Sequence, residues 1–309
     1  MKIILGEIVK KILLILLVAV IQNTHINCQT NQQDFPVLKG SYFGQKAPGI
    51  TPVLFPPVVL QADSLWFWHG APVFSPDLKE LFFVKFTKKQ PGTSIYYMKL
   101  ENNQWTMPQP ASFTQLNSRD NNPFFSGNGD TLYFYTARFG GSIAFVTRNG
   151  SSWSEPVKLS ITLPAGKRFG GQFSIATKGN IYAELSDGDI YRWQKVNGSY
   201  PKAEKMGYAV NSSGYEFIPY IDPDESFLLF VSDRPGGFGK NDIYVSFKKS
   251  DGSWADAVNL GSRINSPEED AFPCISPGGK YFFFNREGTK GFNPYWVNIK
   301  FIESLRPKE

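Results

Sequence analysis

The sequence predicts an all-β protein, a β-propeller of four-stranded blades, and three observations carry that prediction. First, 27 Phe, 14 Tyr and 7 Trp make the 309-residue chain 16% aromatic, and 28 Gly and 22 Pro punctuate it. Aromatic residues suit half-buried strands, and Gly and Pro suit the turns between them. Second, one set of landmarks recurs five times: Phe74-Ser75-Pro76-Asp77, Phe125-Ser126-Gly127-Asn128, Phe173-Ser174-Ile175-Ala176, Ile221-Asp222-Pro223-Asp224 and Ile275-Ser276-Pro277-Gly278. The spacings are 51, 48, 48 and 54 residues, and a period near 50 with four strands per period is that of a propeller blade. Third, the last repeat stops short of a full blade, while an extended, Pro-rich stretch precedes the first.

Residues 1–28 stand apart. Lys2, Lys10 and Lys11 precede an apolar run from Ile12 to Ile21, followed by polar Gln22–Asn27. The run is too short to cross a bilayer, which takes about 20 residues, and the pattern is that of a secretory signal peptide. Two readings of its end stay open: simple cleavage near Cys28, or lipidation of Cys28 as the first mature residue. His25-Ile26-Asn27-Cys28 is a poor lipobox, which favours simple secretion. The expected address is the periplasm or cell surface of a bacterium, with an outer-membrane lipoprotein as the variant.

Removing that segment lowers the formal net charge from +5 to +3, too mild for a nucleic-acid binder with a clustered basic face. Of the two cysteines only Cys274 remains, so no intrachain disulfide forms. Phe272-Pro273-Cys274-Ile275 reads as an apolar strand with a small buried thiol.

Residues 29–309 read as one propeller domain, with repeats of about 69–119, 120–167, 168–215, 216–269 and 270–309. The repeat at 216–269 is the clearest. A strand at Phe217–Ile221 meets the turn Asp222-Pro223-Asp224-Glu225, then strands at Phe227–Ser232 and Asp242–Phe247, then an outer segment at Trp254–Leu260. Second strands are expected in step at Leu81–Lys85, Leu132–Thr136, Ile181–Leu185 and Tyr281–Asn285. Trp105, Trp153, Tyr200 and Trp254 open the outer segments, and the repeat at 270–309 has no counterpart. An incomplete blade leaves an open edge, so the closing segment at about 35–68, around Pro52–Leu60, is the expected donor of the missing strand. Five blades are expected, with a sixth built from 35–68 as the alternative.

The stretches 75–83 (SPDLKELFF), 232–247 (SDRPGGFGKNDIYVSF), 251–266 (DGSWADAVNLGSRINS) and 276–284 (SPGGKYFFF) resemble the TolB-like, WD-like propeller repeat of bacterial envelope proteins. The opening at Tyr42–Gly49 and the ending at Pro294–Pro307 look like secreted single-domain members of that family. The resemblance covers about residues 41–309 and departs from the pattern at Ala176-Thr177-Lys178-Gly179. It implies an envelope propeller. It does not imply one activity, because such repeats serve scaffolds, partner-binding subunits and enzymes.

The position three before Pro72, Pro123, Gly171, Pro219 and Pro273 holds His69, Asp120, Arg168, Glu216 and Asp270. First strands line a propeller's channel, so these five are the candidate ligand-binding ring, with Trp68 as a neighbouring aromatic for stacking. His69, Asp120, Glu216 and Asp270 are the candidate catalytic set. Asp120, Glu216 and Asp270 are the candidate metal ligands, with calcium the cation such oxygens suit. A single mature histidine excludes multi-histidine zinc sites. Arg138, Arg234 and Arg286 recur after second strands. They evoke the arginine triad of sialidases, but the Asp-box spacing is wrong, and pairing between blades is the expectation. With no recognisable catalytic set, the expected function is non-enzymatic binding of an envelope protein, a peptidoglycan-associated component or a glycan at the channel mouth. A hydrolase or lyase acting on a polar carbohydrate or lactone is the alternative.

Overall fold

The computed structural model describes residues 35–57, 60–62, 65–89 and 92–307; the expected signal peptide and Cys28 lie outside them. Five antiparallel sheets follow one another along the chain. In blade I, Trp66–Trp68 and Val73–Phe74 both pair with Glu80–Thr87. Gly92–Glu101 comes next, with Gln104–Trp105 and Gln109–Pro110 outermost. Blade II is Asn121–Phe125, Thr131–Thr136 and Ser142–Asn149, edged by Ser152–Trp153 and Val157–Lys158. Blade III is Phe169–Ile175, Ile181–Leu185, Ile190–Trp193 and Ala203–Lys205, and blade IV is Glu216–Ile221, Phe227–Ser232, Asp242–Phe247 and Val258–Asn259. Blade V takes Asp270–Ile275, Tyr281–Gly288 and Gly291–Asn298 from its own repeat.

The fourth strand of blade V is Val53–Leu54, with Val53 opposite Trp296 and Leu54 opposite Tyr295. The ring therefore has five blades, and residues 35–68 build no sixth. Their last part, Trp66–Trp68, opens blade I ahead of the expected boundary at 69. The same N-terminal stretch also holds blade I: Trp105 N donates to Leu38 O at 2.8 Å, and the Trp105 indole N–H donates to Gly40 O at 2.7 Å. Fully buried Phe55 sits between the two, with ring centroids 4.9 Å from Phe283, 5.3 Å from Trp296 and 6.0 Å from Phe74.

The seams between blades are apolar, because each blade buries both faces against its neighbours. Phe82, Val84, Leu132 and Phe134 fill the seam of blades I and II. Ile143, Phe173, Ile181 and Trp193 fill the next, and Tyr182, Ile221, Leu228 and Phe230 the one after.

Every inner strand breaks register at one level. The slip falls between Asn121 and Phe124, Phe169 and Phe173, Phe217 and Tyr220, and Ala271 and Cys274; in blade I the strand is interrupted between Trp68 and Val73. Pro72, Pro123, Pro219 and Pro273 sit in those breaks, where a proline, having no N–H, forces the ladder open. The residue before three of these prolines is left-handed: Asn122 at φ 50°, Ile218 at 51° and Phe272 at 55°. Such backbone costs a β-branched or bulky residue on the order of 1–3 kcal/mol, and Ile218 and Phe272 carry it on the channel wall.

Candidate functional site

The inner strands carry two sets of polar residues, one at each end. At the leading end stand the five ionisable positions singled out in the sequence, and the fold uses three of them internally. Asp120 is fully buried and its Oδ2 accepts from Arg138 at 2.9 Å, Gln115 N at 2.9 Å and Thr114 Oγ1 at 3.1 Å. Glu216 accepts from Arg234 at 3.0 Å, Ser212 Oγ at 2.6 Å and Ser232 Oγ at 2.9 Å. Asp270 accepts from Arg286 at 2.7 Å and Ser266 Oγ at 2.7 Å. Burial raises the Asp270 carboxyl, against the pull of Ser266 and Arg286. Each arginine also donates to a carbonyl of the preceding connection, from Phe113, Val210 and Ile264 respectively. Arg138, Arg234 and Arg286 thus pair within their own blade, not between blades as expected from the sequence. Their alternation with the acids is a repeated staple of inner strand, second strand and connection.

The other two members differ. The Arg168 side chain is exposed. The His69 ring lies 5.2 Å from Phe272, with its Nδ1 buried and without a partner, and burial lowers its pKa so that the imidazole is neutral. Trp68 is fully buried, donates its indole N–H to Leu60 O at 2.7 Å and packs on Phe83 at 4.6 Å, which leaves no free face for a sugar ring. Among the described residues no three His, Cys, Asp or Glu side chains come together as a metal-holding group. The sequence-derived ring is therefore not one constellation.

The other end of the inner strands is different. From the register breaks to the hairpin turns the channel widens into a cavity of about 650 Å³. Pro72, Pro123, Pro219 and Pro273 and the left-handed Asn122, Ile218 and Phe272 line its depth, and Thr177, Asp222, Asp224 and Gly278 line its mouth. None of His69, Asp120, Arg168, Glu216 or Asp270 lines it. Cys274, expected in the core, is half-buried on this wall, its Sγ 3.5 Å from Pro72 O, and burial pushes its thiol up to about 12. The neighbouring Tyr220 phenol is raised well above its usual range, again by burial. Neither group ionises near neutral pH.

Asp222 and Asp224 bring charge to the mouth. Burial, and then the hydrogen bond with Asp224, push Asp222 up to about 6, while the same contact holds Asp224 below its usual value. The two titrate as a pair sharing a proton. Asp222 Oδ2 also accepts from Ser226 Oγ at 2.9 Å. The position equivalent to Asp222 by strand pairing is Ser75, Ser126 and Ser276 in blades I, II and V and Ala176 in blade III. That single carboxylate among uncharged residues was visible in the repeats, but the acidic turn reads first as a hairpin connection, which it also is.

A half-buried glutamate lies behind the wall as well. Glu184 Oε2 accepts from Ile218 N at 2.8 Å, joining blades III and IV at the strained position. Burial, outweighing the backbone donors Ile218 and Gln172, raises it to about 7. A Cβ at Gly170 would lie 2.3 Å from its Oε1, so only glycine leaves the carboxyl its place.

No protein-family model matches the chain, and no curated protein matches it. Solved structures do. A protein of Agrobacterium tumefaciens assigned as TolB is 20% identical, with a TM-score of 0.47 over 70% of this chain and 69% of that one. A puromycin hydrolase is 12% identical, with a TM-score of 0.43 over 70% of this chain, which spans only 33% of the hydrolase. The α-L-arabinanase of Penicillium chrysogenum, solved with arabinobiose, is 14% identical, with a TM-score of 0.43 over 81% of each chain.

Proposed function

We propose that this chain is an exported, TolB-like binding propeller that captures its partner in the channel, at the mouth ringed by the hairpin turns. One observation carries the reading: a cavity of about 650 Å³ with a largely apolar wall that includes the left-handed residues Ile218 and Phe272. Cavities of this size with few polar groups are the usual form of ligand sites, and backbone strain concentrates where function holds it in place. The opposite end, where the sequence placed the site, has its carboxylates committed to Arg138, Arg234 and Arg286. The partner class is an envelope protein, a peptidoglycan-associated component or a glycan. A photo-crosslinker at Thr177, on the mouth, and another at Tyr208, exposed on a connection, test the reading in cells of the source organism. Adducts are expected at 177, and their composition separates protein from glycan; adducts confined to 208 would sink the proposal.

A second reading, a hydrolase or lyase of a polar carbohydrate or lactone, is favoured by the Asp222–Asp224 pair. A carboxyl held at about 6 beside an ionised neighbour is a general acid poised for work near neutral pH. This moves the chemistry away from His69, Asp120, Glu216 and Asp270. Turnover of an aryl glycoside or a sugar lactone, lost in Asp224→Asn, is the result that would establish it; no turnover by the parent chain excludes those substrates.

A further inference from the structure

We propose that the channel cavity takes an amphipathic cation, a ligand with an apolar body and a protonated amine that sits at Asp222 and Asp224. This rests on the channel-binding reading and narrows it to a chemical class. The cavity wall is apolar over most of its depth, with Pro123, Phe124, Pro219, Phe272 and Pro273 among its residues. Among the described residues that line it, Asp222 and Asp224 carry the only formal charges. A ligand seated there meets an apolar wall and, at one edge only, negative charge. Anionic ligands meet repulsion, and neutral ones leave the carboxylates without a counterion.

The fold does not need that charge. In blades I, II and V the equivalent turn is braced by a serine hydroxyl. Ser75 Oγ accepts from Glu80 N at 2.9 Å, Ser126 Oγ from Thr131 N at 3.2 Å and Ser276 Oγ from Tyr281 N at 3.0 Å. Blade IV makes its turn with a half-buried carboxylate, a costlier group to bury. A nearby guanidinium offsets it only at a distance: Arg306 feels the charge of Asp222 and Asp224, but its first partner is Glu303. Arg306 is committed to Glu303 at 2.9 and 3.0 Å and to Ser226 O at 3.3 Å, and stacks on Phe247 at 4.4 Å. Among the described residues no ion pair joins Arg306 to Asp222 or Asp224; its recorded pair is with Glu303. An ammonium group of a ligand would supply the direct ion pair that Arg306 does not make, while its apolar body fills the channel.

Calorimetric titration of the full chain with 2-phenylethylammonium, 2-phenylethanol and phenylacetate at pH 7.5 tests this, since the three share a body and differ in charge. The ammonium is expected to bind about tenfold or more tighter than the alcohol, with phenylacetate weakest. Asp222→Ser, which installs the residue of blades I, II and V and should melt no lower than the parent, is expected to erase the difference while the alcohol binds as before. Asp224→Asn, at an exposed position, is the second variant and should reduce the preference in the same direction. Equal affinity for ammonium and alcohol, or a preference that survives both substitutions, overturns the cation proposal and leaves the cavity reading intact. No binding by any of the three at millimolar concentration overturns both.

Discussion

At the scale of single residues, the chain shows that a carboxylate's neighbours, more than its place in a repeat, decide its role. Asp120, Glu216 and Asp270 occupy aligned positions with Asp222 only a few residues from Glu216, yet the first three face arginines and the last faces a cavity. Glu184 shows the cost of a half-buried carboxyl that, among the described residues, pairs with no cation. Its folded pKa, about 7, lies above its unfolded value near 4.3. The folded state therefore binds more protons than the unfolded state between those values, and stability falls as pH rises through that window. Glu184→Gln should remove this slope. The melting temperature of the variant relative to the parent should rise steadily from pH 4.5 to 7.5, the full difference corresponding to about 1–3 kcal/mol. A difference that stays flat across that range would show that the Glu184 carboxyl titrates normally.

At the scale of elements, the inner strands were legible in outline and not in detail. Phe227–Ser232 and Asp242–Phe247 match their expected bounds, because their alternation and flanking turns are local signals. The register breaks were not anticipated, although Pro72, Pro123, Pro219 and Pro273 mark them. A proline announces that a ladder bond is missing; it does not say which way the chain will bulge or that Ile218 will turn left-handed. The outer segments were overestimated. Only Val258–Asn259 of the expected 254–260 forms a strand, since the outermost strand of a blade pairs on one side only and is held by few bonds. The staples of acid, arginine and connection carbonyl were visible as separate recurrences, but their pairing within a blade depends on a twist that brings strand ends together in space.

At the scale of the molecule, five imperfect blades become one object because the N-terminal stretch bonds both sides of the last seam. Phe55 is the pivot of that closure, with its ring fully buried between Phe43, Phe74, Phe283 and Trp296. Phe55→Ala should cost about 3–5 kcal/mol, measured as a lowered denaturation midpoint, with hydrogen exchange rising first in blades I and V. A loss below about 1 kcal/mol would mean that strand pairing alone closes the ring. Ring closure also sets the site: five inner strands can surround a cavity only when the first and last blades meet, as Trp66–Trp68 does against Gly291–Asn298.

By itself the sequence determined the all-β class, the period near 50 and the five repeats, and it pointed to a strand lent by the N-terminus; the structure decided for five blades against six. What the sequence determined follows from alternation, turn chemistry and the need to cover a sheet edge, all of which act over short stretches or repeat identically. Only the tertiary structure decided which polar residues are spent on the fold and which are left facing space. Asp120, Glu216 and Asp270 are neutralised by partners at the far end of a neighbouring strand, whereas Asp222 and Asp224 face a cavity made by all five blades at once. The arginines come from the adjoining strand, 16–18 residues along, whereas the cavity wall comes from distant parts of the chain and exists only in the closed ring.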